Sequence, residues 1–211
     1  MTTPRRALIL IDVQRDYFSG PLHIRYPAVD DALTAVTDAI DAAHAAGIPV
    51  AVIQHVMGEG APVFDPTQPG YELHPEIERR RTPQWKHVVK RYASVFADTD
   101  LLTWLKEQEV DTVTFTGFMT NNCVLASAVS TEELGLRAEV LSDATGAINL
   151  ANAAGAASAE TVHTTLLALL NSNWAAVAPT SAWTAALTEG TALEGSNLLS
   201  SAMDGAEQAR A

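Results

Sequence analysis

The stretch Ala7-Leu8-Ile9-Leu10-Ile11-Asp12, near the start of the chain, decides the fold. Its apolar run is short and continuous, which is typical of a strand buried on both faces of a sheet. From Ala28 the apolar residues recur at spacings of three and four, and this pattern ends at Gly47, a common helix stop. The sequence therefore predicts a buried strand followed by a helix.

The same alternation continues along the chain. Further strands are predicted at residues 49–56, 88–89, 113–115, 138–141 and 174–177, and helices at 122–134 and 159–170. This order indicates parallel β/α units, so we predict an α/β fold with a doubly wound, mainly parallel six-stranded sheet and helices on both faces. The 211 residues suit a single domain, which we place at 1–188, and the small polar residues of 189–211 predict a flexible tail.

The connection between the second and third predicted strands, residues 57–87, interrupts this rhythm. It holds five of the ten prolines together with three glycines, so no long helix is expected there. Long irregular connections inside compact domains are often functional loops or subunit contacts. A simple surface loop is the alternative, and the sequence leaves the choice open.

Composition excludes several classes of function. Lys and Arg number 13 against 25 Asp and Glu, a net charge of −12, so phosphate backbones and anionic membranes are repelled. The mean hydropathy is +0.07, and no apolar run approaches the length of a membrane span. A single cysteine indicates a reducing compartment, and the apolar run that ends at Asp12 is too short for a signal peptide. We expect a cytoplasmic protein with a small-molecule substrate and neither nucleic acid nor membrane as partner.

Three reactive residues follow predicted strands, where ligands bind in open α/β sheets: Asp12, Lys90 and Cys123. Taken singly, Asp12 suits a turn cap, Lys90 an exposed charge and Cys123 a buried small residue. Taken together they predict a nucleophile with its base and an electrostatic partner. A helix N-terminus and the Lys90 charge would favour a Cys123 thiolate, and Asp12 would accept the thiol proton and return it to a leaving amine.

Several segments resemble one known family. They are LILIDVQRDYF (8–18), GYELHPEI (70–77), VVKRYASVF (88–96), GFMTNNCV (117–124), LSDAT (141–145) and SAETVH (158–163). In this order they are similar to the isochorismatase-like cysteine hydrolase superfamily, which includes nicotinamidases and other small-amide hydrolases. The resemblance spans about residues 6–187. It implies Asp12 as general base, Lys90 as electrostatic partner and Cys123 as covalent nucleophile.

The resemblance has two further implications. A cis peptide bond between Phe118 and Met119 would turn the Met119 N–H toward the substrate oxyanion, beside the N–H of Cys123. Members of this family are commonly oligomers, and the Ala-rich faces and the long connection also suggest self-association. We therefore expect a homo-oligomer, a dimer or a tetramer.

The sequence departs from nicotinamidases at the metal site. Proteins of that group carry an Asp-x-His motif after the second strand, whereas this chain reads Ile53-Gln54-His55. A lone histidine is more often hydrogen-bonded structure than a metal ligand. We therefore predict no catalytic metal and no cofactor. His163 is likewise assigned to helix packing, and one of Asn121 and Asn122 to a helix N-cap.

Residues near these motifs are candidates to bind the substrate. Gln14, Tyr17 and Phe18 are expected to wall the pocket, with Phe18 stacking on a flat substrate, although Tyr17 and Phe18 equally suit loop packing. Trp85 is a further candidate to bind the substrate. Like Tyr71 and His74, it belongs to the Pro-rich connection and fits either the pocket or a subunit contact.

The function predicted from these residues is hydrolysis of a small-molecule amide or related C–N bond through a thioester on Cys123. Three alternatives stay open: an isochorismatase-type ether hydrolase, a nicotinamidase with an unrecognised metal site, and a noncatalytic binding or redox module on the same fold.

Overall fold

The computed structural model describes residues 3–210 and contains eight strands. They are β1 (Arg6–Ile11), β2 (Val50–His55), β3 (Lys86–Lys90), β4 (Thr112–Phe118), β5 (Arg137–Gly146), β6 (Leu150–Asn152), β7 (Gly155–Ala157) and β8 (Ala175–Ala178). Six of them form one sheet in the order β3-β2-β1-β4-β5-β8, and every pairing in it is parallel. The predicted six-stranded parallel sheet is confirmed.

Helices cover both faces of this sheet. They are α1 (Val29–Ala46), α2 (Pro75–Arg80), α3 (Leu101–Glu107), α4 (Leu125–Leu134), α5 (Ala159–Asn173), α6 (Thr180–Glu189) and α7 (Leu198–Gln208). Buried side chains of α1 and α6 share one apolar cluster with β1, and those of α3, α4 and α5 share another. Among residues 3–210 no helix has the length and apolar character needed to cross a membrane.

Strand β1 explains why one short segment decides the fold. Leu8 and Leu10 pack into the first apolar cluster, whereas Ala7, Ile9 and Ile11 pack into the second. Both faces of the strand are therefore covered, which is why its sequence shows no polar alternation.

Several element boundaries differ from the predicted ones. β5 extends to Gly146, beyond the predicted 138–141, with a register shift against β4 between Phe115 and Gly117. The β6–β7 hairpin and α6 were not predicted, because small residues give them little periodicity. The helix α7 lies within the predicted tail, capped by Asn197, whose side chain accepts from Ser200 N. Flexibility of 189–211 stays a prediction.

The Pro-rich connection has no long helix, as expected: it contains only α2 and a short 3-10 turn. It packs on the loop that follows β1. The N–H of His74 donates to Val13 O at 2.8 Å, and Arg15 N–H donates to Glu72 O at 3.0 Å. Asp16 Oδ2 accepts from Phe64 N at 2.6 Å. These contacts bring the connection to the carboxyl edge of the sheet.

Candidate active site

The carboxyl edge of the sheet brings the three predicted reactive residues together. Asp12 follows β1 directly, Lys90 is the last residue of β3, and Cys123 lies in the turn after β4. Parallel strands end at the same edge, so residues far apart in sequence meet there. Asp12 is 0% exposed, and Lys90 and Cys123 are each 1% exposed. The cluster is therefore shielded from water, and charges interact more strongly in such a buried site than they do in water.

The ammonium of Lys90 is the centre of this cluster. Its Nζ lies 2.7 Å from Asp12 Oδ2, 2.9 Å from His55 Nδ1, and 3.2 Å from both Cys123 Sγ and Tyr92 O. An ammonium has three protons to donate and faces four acceptors here. Lys90 thus holds the carboxylate, the imidazole and the thiol around one positive charge.

Asp12 has features of a proton acceptor. Neither of its buried carboxylate oxygens has a hydrogen-bond partner of good geometry within residues 3–210, so its contact with Lys90 is an ion pair. Burial raises the pKa of Asp12, and the Lys90 charge counteracts part of this rise. Its backbone φ is 50°, in the left-handed region that costs a non-glycine residue energy. Such strain is typical of functional sites.

Cys123 lies in a π-helical turn, Thr120–Val124, that leads into α4. Burial raises the pKa of its thiol to about 12, the Asp12 charge adds to the rise, and Lys90 opposes it. Burial therefore favours the protonated thiol over the resting thiolate that the sequence predicts, since Lys90 offsets only part of the rise in pKa. A protonated thiol has to transfer its proton to a base if it is to act as a nucleophile.

The loop before the nucleophile holds the proposed oxyanion donors. The peptide bond between Phe118 and Met119 is cis. Met119 O accepts from Asn122 N and Val124 N, each at 3.1 Å, whereas Met119 N–H donates to no other group in residues 3–210. Gly117 approaches β1 so closely that an added Cβ would lie 2.0 Å from Ile11 O. Glycine is therefore required where β4 turns toward the thiol.

A hydrogen-bonded network supports this turn from behind. Thr120 Oγ1 lies 2.9 Å from His163 Nδ1 and 3.0 Å from Thr145 Oγ1, and His163 Nε2 lies 3.0 Å from Ser142 O. Because a carbonyl only accepts, Nε2 carries the proton and Nδ1 accepts from Thr120. Burial lowers the pKa of His163, which keeps this neutral form. His163, predicted to be a packing residue, therefore holds Thr120, the first residue of the turn that carries Cys123.

Gln14 is near the site, and its amide joins the loops there. Its Nε2 donates to His55 O at 3.0 Å and to Tyr71 O at 2.8 Å, and its Oε1 accepts from His55 N at 2.8 Å. Both N–H donors of Gln14 are therefore used within the protein, and its contact with substrate stays a prediction. The structure gives Gln14 the task of joining the β1 loop to the end of β2.

Tyr17 and Phe18 lie among aromatic rings at this edge. The Tyr17 ring is 5.2 Å from that of Phe64 and 5.5 Å from that of Phe118, and the Phe18 ring is 5.8 Å from Phe118 and 4.3 Å from His74. Tyr17 is 1% exposed, whereas Phe18 is half-buried. Both side chains therefore pack in this aromatic cluster, and their contact with substrate stays a prediction.

Trp85 is not at this site, which corrects the prediction. It precedes β3, so it lies at the amino edge of the sheet, and Lys90 at the far end of the same strand faces the cluster. Its Nε1 donates to His44 Nε2 at 3.0 Å near the end of α1. Trp85 belongs to the Pro-rich connection, but it directly precedes β3, and a residue before a parallel strand lies at the amino edge of the sheet.

His55 was assigned to structure, but it belongs to the cluster. It is the last residue of β2, in the same position relative to its strand as Lys90. Burial and then the Lys90 charge lower the pKa of His55 to about 4, so the imidazole is neutral near pH 7. The rule that found Lys90, a polar residue at a strand's carboxyl end, also identifies His55.

Asp12, His55 and Cys123 form a potential metal-ligand set, since one ligand atom of each lies within 4.8 Å of the others. Carboxylate, imidazole and thiolate suit zinc. However, each of these residues contacts the Lys90 ammonium, which takes the place of a cation. A metal ion would have to displace a buried, paired lysine, so these residues do not fit a resident metal.

The fold and the site define a class: a three-layer α/β protein with a buried Asp–Lys–Cys cluster at the carboxyl edge of a parallel sheet. A family model described as an isochorismatase domain matches residues 6–177. The chain belongs to the isochorismatase family.

Known proteins agree with this assignment. A candidate isochorismatase from Burkholderia xenovorans LB400 has a crystal structure with TM-score 0.96 and 42% identity, and the match covers 100% of both chains. The isochorismatase family protein YddQ of Bacillus subtilis (strain 168) is 31% identical over 87% of this chain and 99% of its own. The streptothricin hydrolase of Streptomyces noursei is 32% identical over 72% of this chain and 58% of its own. The chain is thus a member of a hydrolase family.

Proposed function

We propose that the protein is a cysteine-dependent hydrolase that cleaves a small-molecule amide or a related C–N bond through a thioester on Cys123. The single observation that carries the proposal is the buried cluster, in which one ammonium contacts both a carboxylate and a thiol. The similarity to a protein named streptothricin hydrolase supports a small-molecule substrate.

The first half of the reaction forms the acyl-enzyme. Cys123 Sγ attacks the substrate carbonyl carbon while the thiol proton moves to Asp12, whose free carboxylate oxygen accepts it. The carbonyl oxygen becomes an oxyanion, which the N–H groups of Met119 and Cys123 stabilise. The C–N bond then breaks, the Asp12 proton goes to the leaving nitrogen, and a thioester remains.

The second half regenerates the thiol. Asp12 takes a proton from water as the water oxygen attacks the thioester carbonyl, and the S–C bond then breaks. Cys123 recovers its proton from Asp12 as the carboxylic acid leaves. Lys90 stays protonated throughout, and its charge stabilises the thiolate at each departure and attack. The high pKa of the resting thiol suits this cycle, because the proton moves only with bond formation.

The test is release of ammonia or amine from a panel of small amides and ureido compounds, with the parent protein, Cys123→Ala and an EDTA-treated sample in parallel. We expect turnover that EDTA leaves intact and that Cys123→Ala abolishes. Cys123 is the single cysteine of the chain, so the mass of a quenched acyl-enzyme assigns the adduct without ambiguity. Turnover that survives in Cys123→Ala would refute the proposal and favour an ether hydrolase or another nucleophile.

A further inference from the structure

The two nitrogen atoms of the His55 ring differ in their partners. Nδ1 lies 2.9 Å from Lys90 Nζ, an ammonium that can only donate, so Nδ1 must accept and Nε2 must carry the ring proton. Within residues 3–210, Nε2 has no hydrogen-bond partner. It is not fully buried, so a ligand can reach it. The ring is half-buried. His55 therefore presents a fixed, unused N–H donor from the edge of the cluster.

Tyr17 presents a second unused donor. Its side chain is 1% exposed, yet its hydroxyl forms no hydrogen bond within residues 3–210 and retains accessible surface. Burial raises the pKa of Tyr17 well above its ordinary value, and the charges of Asp12 and Cys123 raise it further, so the phenol keeps its proton. A buried hydroxyl without a partner costs free energy unless a ligand or water satisfies it.

One aromatic ring links the two donors. The ring centroid of Phe64 lies 5.2 Å from that of His55 and 5.2 Å from that of Tyr17. The backbone N–H of Phe64 donates to Asp16 Oδ2, which holds Phe64 in place. The backbone φ of Phe64 is 53°, a value that is rare for phenylalanine. The His55 and Tyr17 rings therefore pack against the same phenyl ring, and a nitrogen of His55 lies within 4.8 Å of Cys123 Sγ.

Charge decides what kind of acceptor these donors suit. Lys90 is the one lysine buried at this edge in the described chain, and it is paired with Asp12. Arg15, at the rim, is exposed and paired with Glu72 at 3.0 Å. An anionic group on the substrate would have no free buried cation to meet, whereas a neutral carbonyl oxygen or ring nitrogen needs only an N–H or O–H donor.

We propose that His55 Nε2–H, together with the Tyr17 hydroxyl, binds a neutral hydrogen-bond acceptor on the acyl part of the substrate. This inference rests on the proposed function, because the acyl part is the portion joined to Cys123. The selected substrates are planar acyl compounds whose ring or side group carries such an acceptor. His55 is then a specificity-determining residue, and its Nδ1 contact with Lys90 sets the tautomer that makes it a donor.

The test uses aldehydes that add reversibly to a thiol. The Cys123 S–C bond forms, and the thiol proton ends on the former aldehyde oxygen, giving a hemithioacetal with no further reactant. The probes are the three pyridinecarboxaldehyde isomers, each with an acceptor nitrogen at a different position, and benzaldehyde as the isosteric control without one. Dissociation constants are measured calorimetrically, with Cys123→Ala as the blank.

Two substitutions separate the roles of the two ring nitrogens. His55→Asn places an acceptor oxygen near the position of Nδ1 and leaves no group at the position of Nε2. His55→Gln places an N–H donor at the position of Nε2. We expect the parent to prefer one pyridine isomer over benzaldehyde, and His55→Asn to lower that preference by about tenfold, the worth of one hydrogen bond. We expect His55→Gln to retain most of it, and Tyr17→Phe to lower it without loss of the ring.

The outcomes distinguish this inference from the proposed function. If all four aldehydes bind through Cys123 and the preference is the same in the parent and in His55→Asn, the inference is overturned and the nucleophile stands. A loss in His55→Gln that His55→Asn does not show would also overturn it, since His55 would then act only through the Nδ1 contact with Lys90. If no aldehyde binds in a Cys123-dependent way, both proposals fail.

Discussion

The first strand carries a buried ion pair at each end, and the two pairs differ in how completely they are hydrogen-bonded. At its start Arg6 pairs with Glu139, the amino-edge pair, and directly after its end Asp12 pairs with Lys90, the carboxyl-edge pair. Arg6 donates to both Glu139 oxygens at 2.8–3.1 Å and to Thr191 O at 2.7 Å. Thr114 and Trp183 also donate to Glu139, at 2.8 and 3.1 Å.

The carboxyl-edge pair has no comparable support. Both Asp12 oxygens lack a hydrogen bond of good geometry, whereas neither Glu139 oxygen does. Two buried ion pairs at opposite ends of β1 therefore differ in whether their carboxylate oxygens are hydrogen-bonded. A saturated pair holds structure, and an unsaturated pair retains capacity to take a proton. The comparison indicates which pair performs chemistry without reference to any relative.

The largest effect is expected from Lys90→Met at the carboxyl-edge pair. Methionine has a similar length, but without the ammonium the buried Asp12 has no counter-charge, and its pKa rises further toward the protonated form. Asp12 then no longer accepts the thiol proton. We expect kcat/KM on any substrate found to fall by roughly 1,000-fold or more, as for other residues that act as one unit.

Lys90→Met also has a control at the other end of the sheet. Lys86 begins the same strand and pairs with Asp100 near the surface. Lys86→Met should leave kcat/KM within a factor of about two, because an isolated surface pair contributes about 1 kcal/mol or less to stability. A similar loss of activity in both variants would mean that Lys90 acts through the stability of β3.

The second prediction concerns Arg6→Met at the amino-edge pair. It leaves Glu139 buried without its cation, so the free energy of unfolding should fall by about 3–5 kcal/mol. kcat should stay close to that of the parent at a temperature where the variant is folded. Urea unfolding and steady-state kinetics on the same sample measure both quantities.

A double substitution sharpens this contrast. In Arg6→Met with Glu139→Leu both charges are gone, and much of the lost stability should return because no unpaired charge stays buried. Were Arg6→Met to lower kcat as strongly as Lys90→Met does, the distinction between a structural and a reactive pair would be wrong.

The third prediction is the reactivity of the Cys123 thiol at rest. Because the pKa of Cys123 is raised to about 12, its thiolate fraction lies below that of a free cysteine at every pH under that value. Alkylation by iodoacetamide at pH 8 should therefore be at least about tenfold slower than that of glutathione, and should rise as pH increases. Fast alkylation at neutral pH would show that the ammonium and the turn stabilise the thiolate after all.

The sequence predicted the parts of this site that depend on strand order. Asp12 and Lys90 are readable because the carboxyl ends of parallel strands converge, and Cys123 because a strand, a short loop and a helix surround it. Trp85 shows the limit of that reasoning: a residue before a strand lies at the opposite edge, and this direction was overlooked.

The sequence did not predict how the side chains of the site pack together. The high pKa of Cys123 depends on its burial and on the nearby charge of Asp12, and the spacing of residues in the sequence encodes neither. Which groups of Gln14 and His55 are hydrogen-bonded depends on the loops packed against them. The Pro-rich connection has no periodicity from which its path could be predicted. The residue type at the end of a strand can be read from the sequence, whereas the hydrogen bonds of its side chain depend on how the loops pack together.

The smallest effect is expected from Thr120→Val, which removes a hydroxyl behind the carboxyl-edge pair and retains the shape of the side chain. His163 Nδ1 then loses its donor, so the free energy of unfolding should fall by about 1–3 kcal/mol. Because Thr120 begins the turn that carries Cys123, we also expect kcat to fall more than KM rises. Thr120→Ser, which restores the hydroxyl, should recover kcat. If Thr120→Val changes stability alone, the network holds the fold and does not set the position of the thiol.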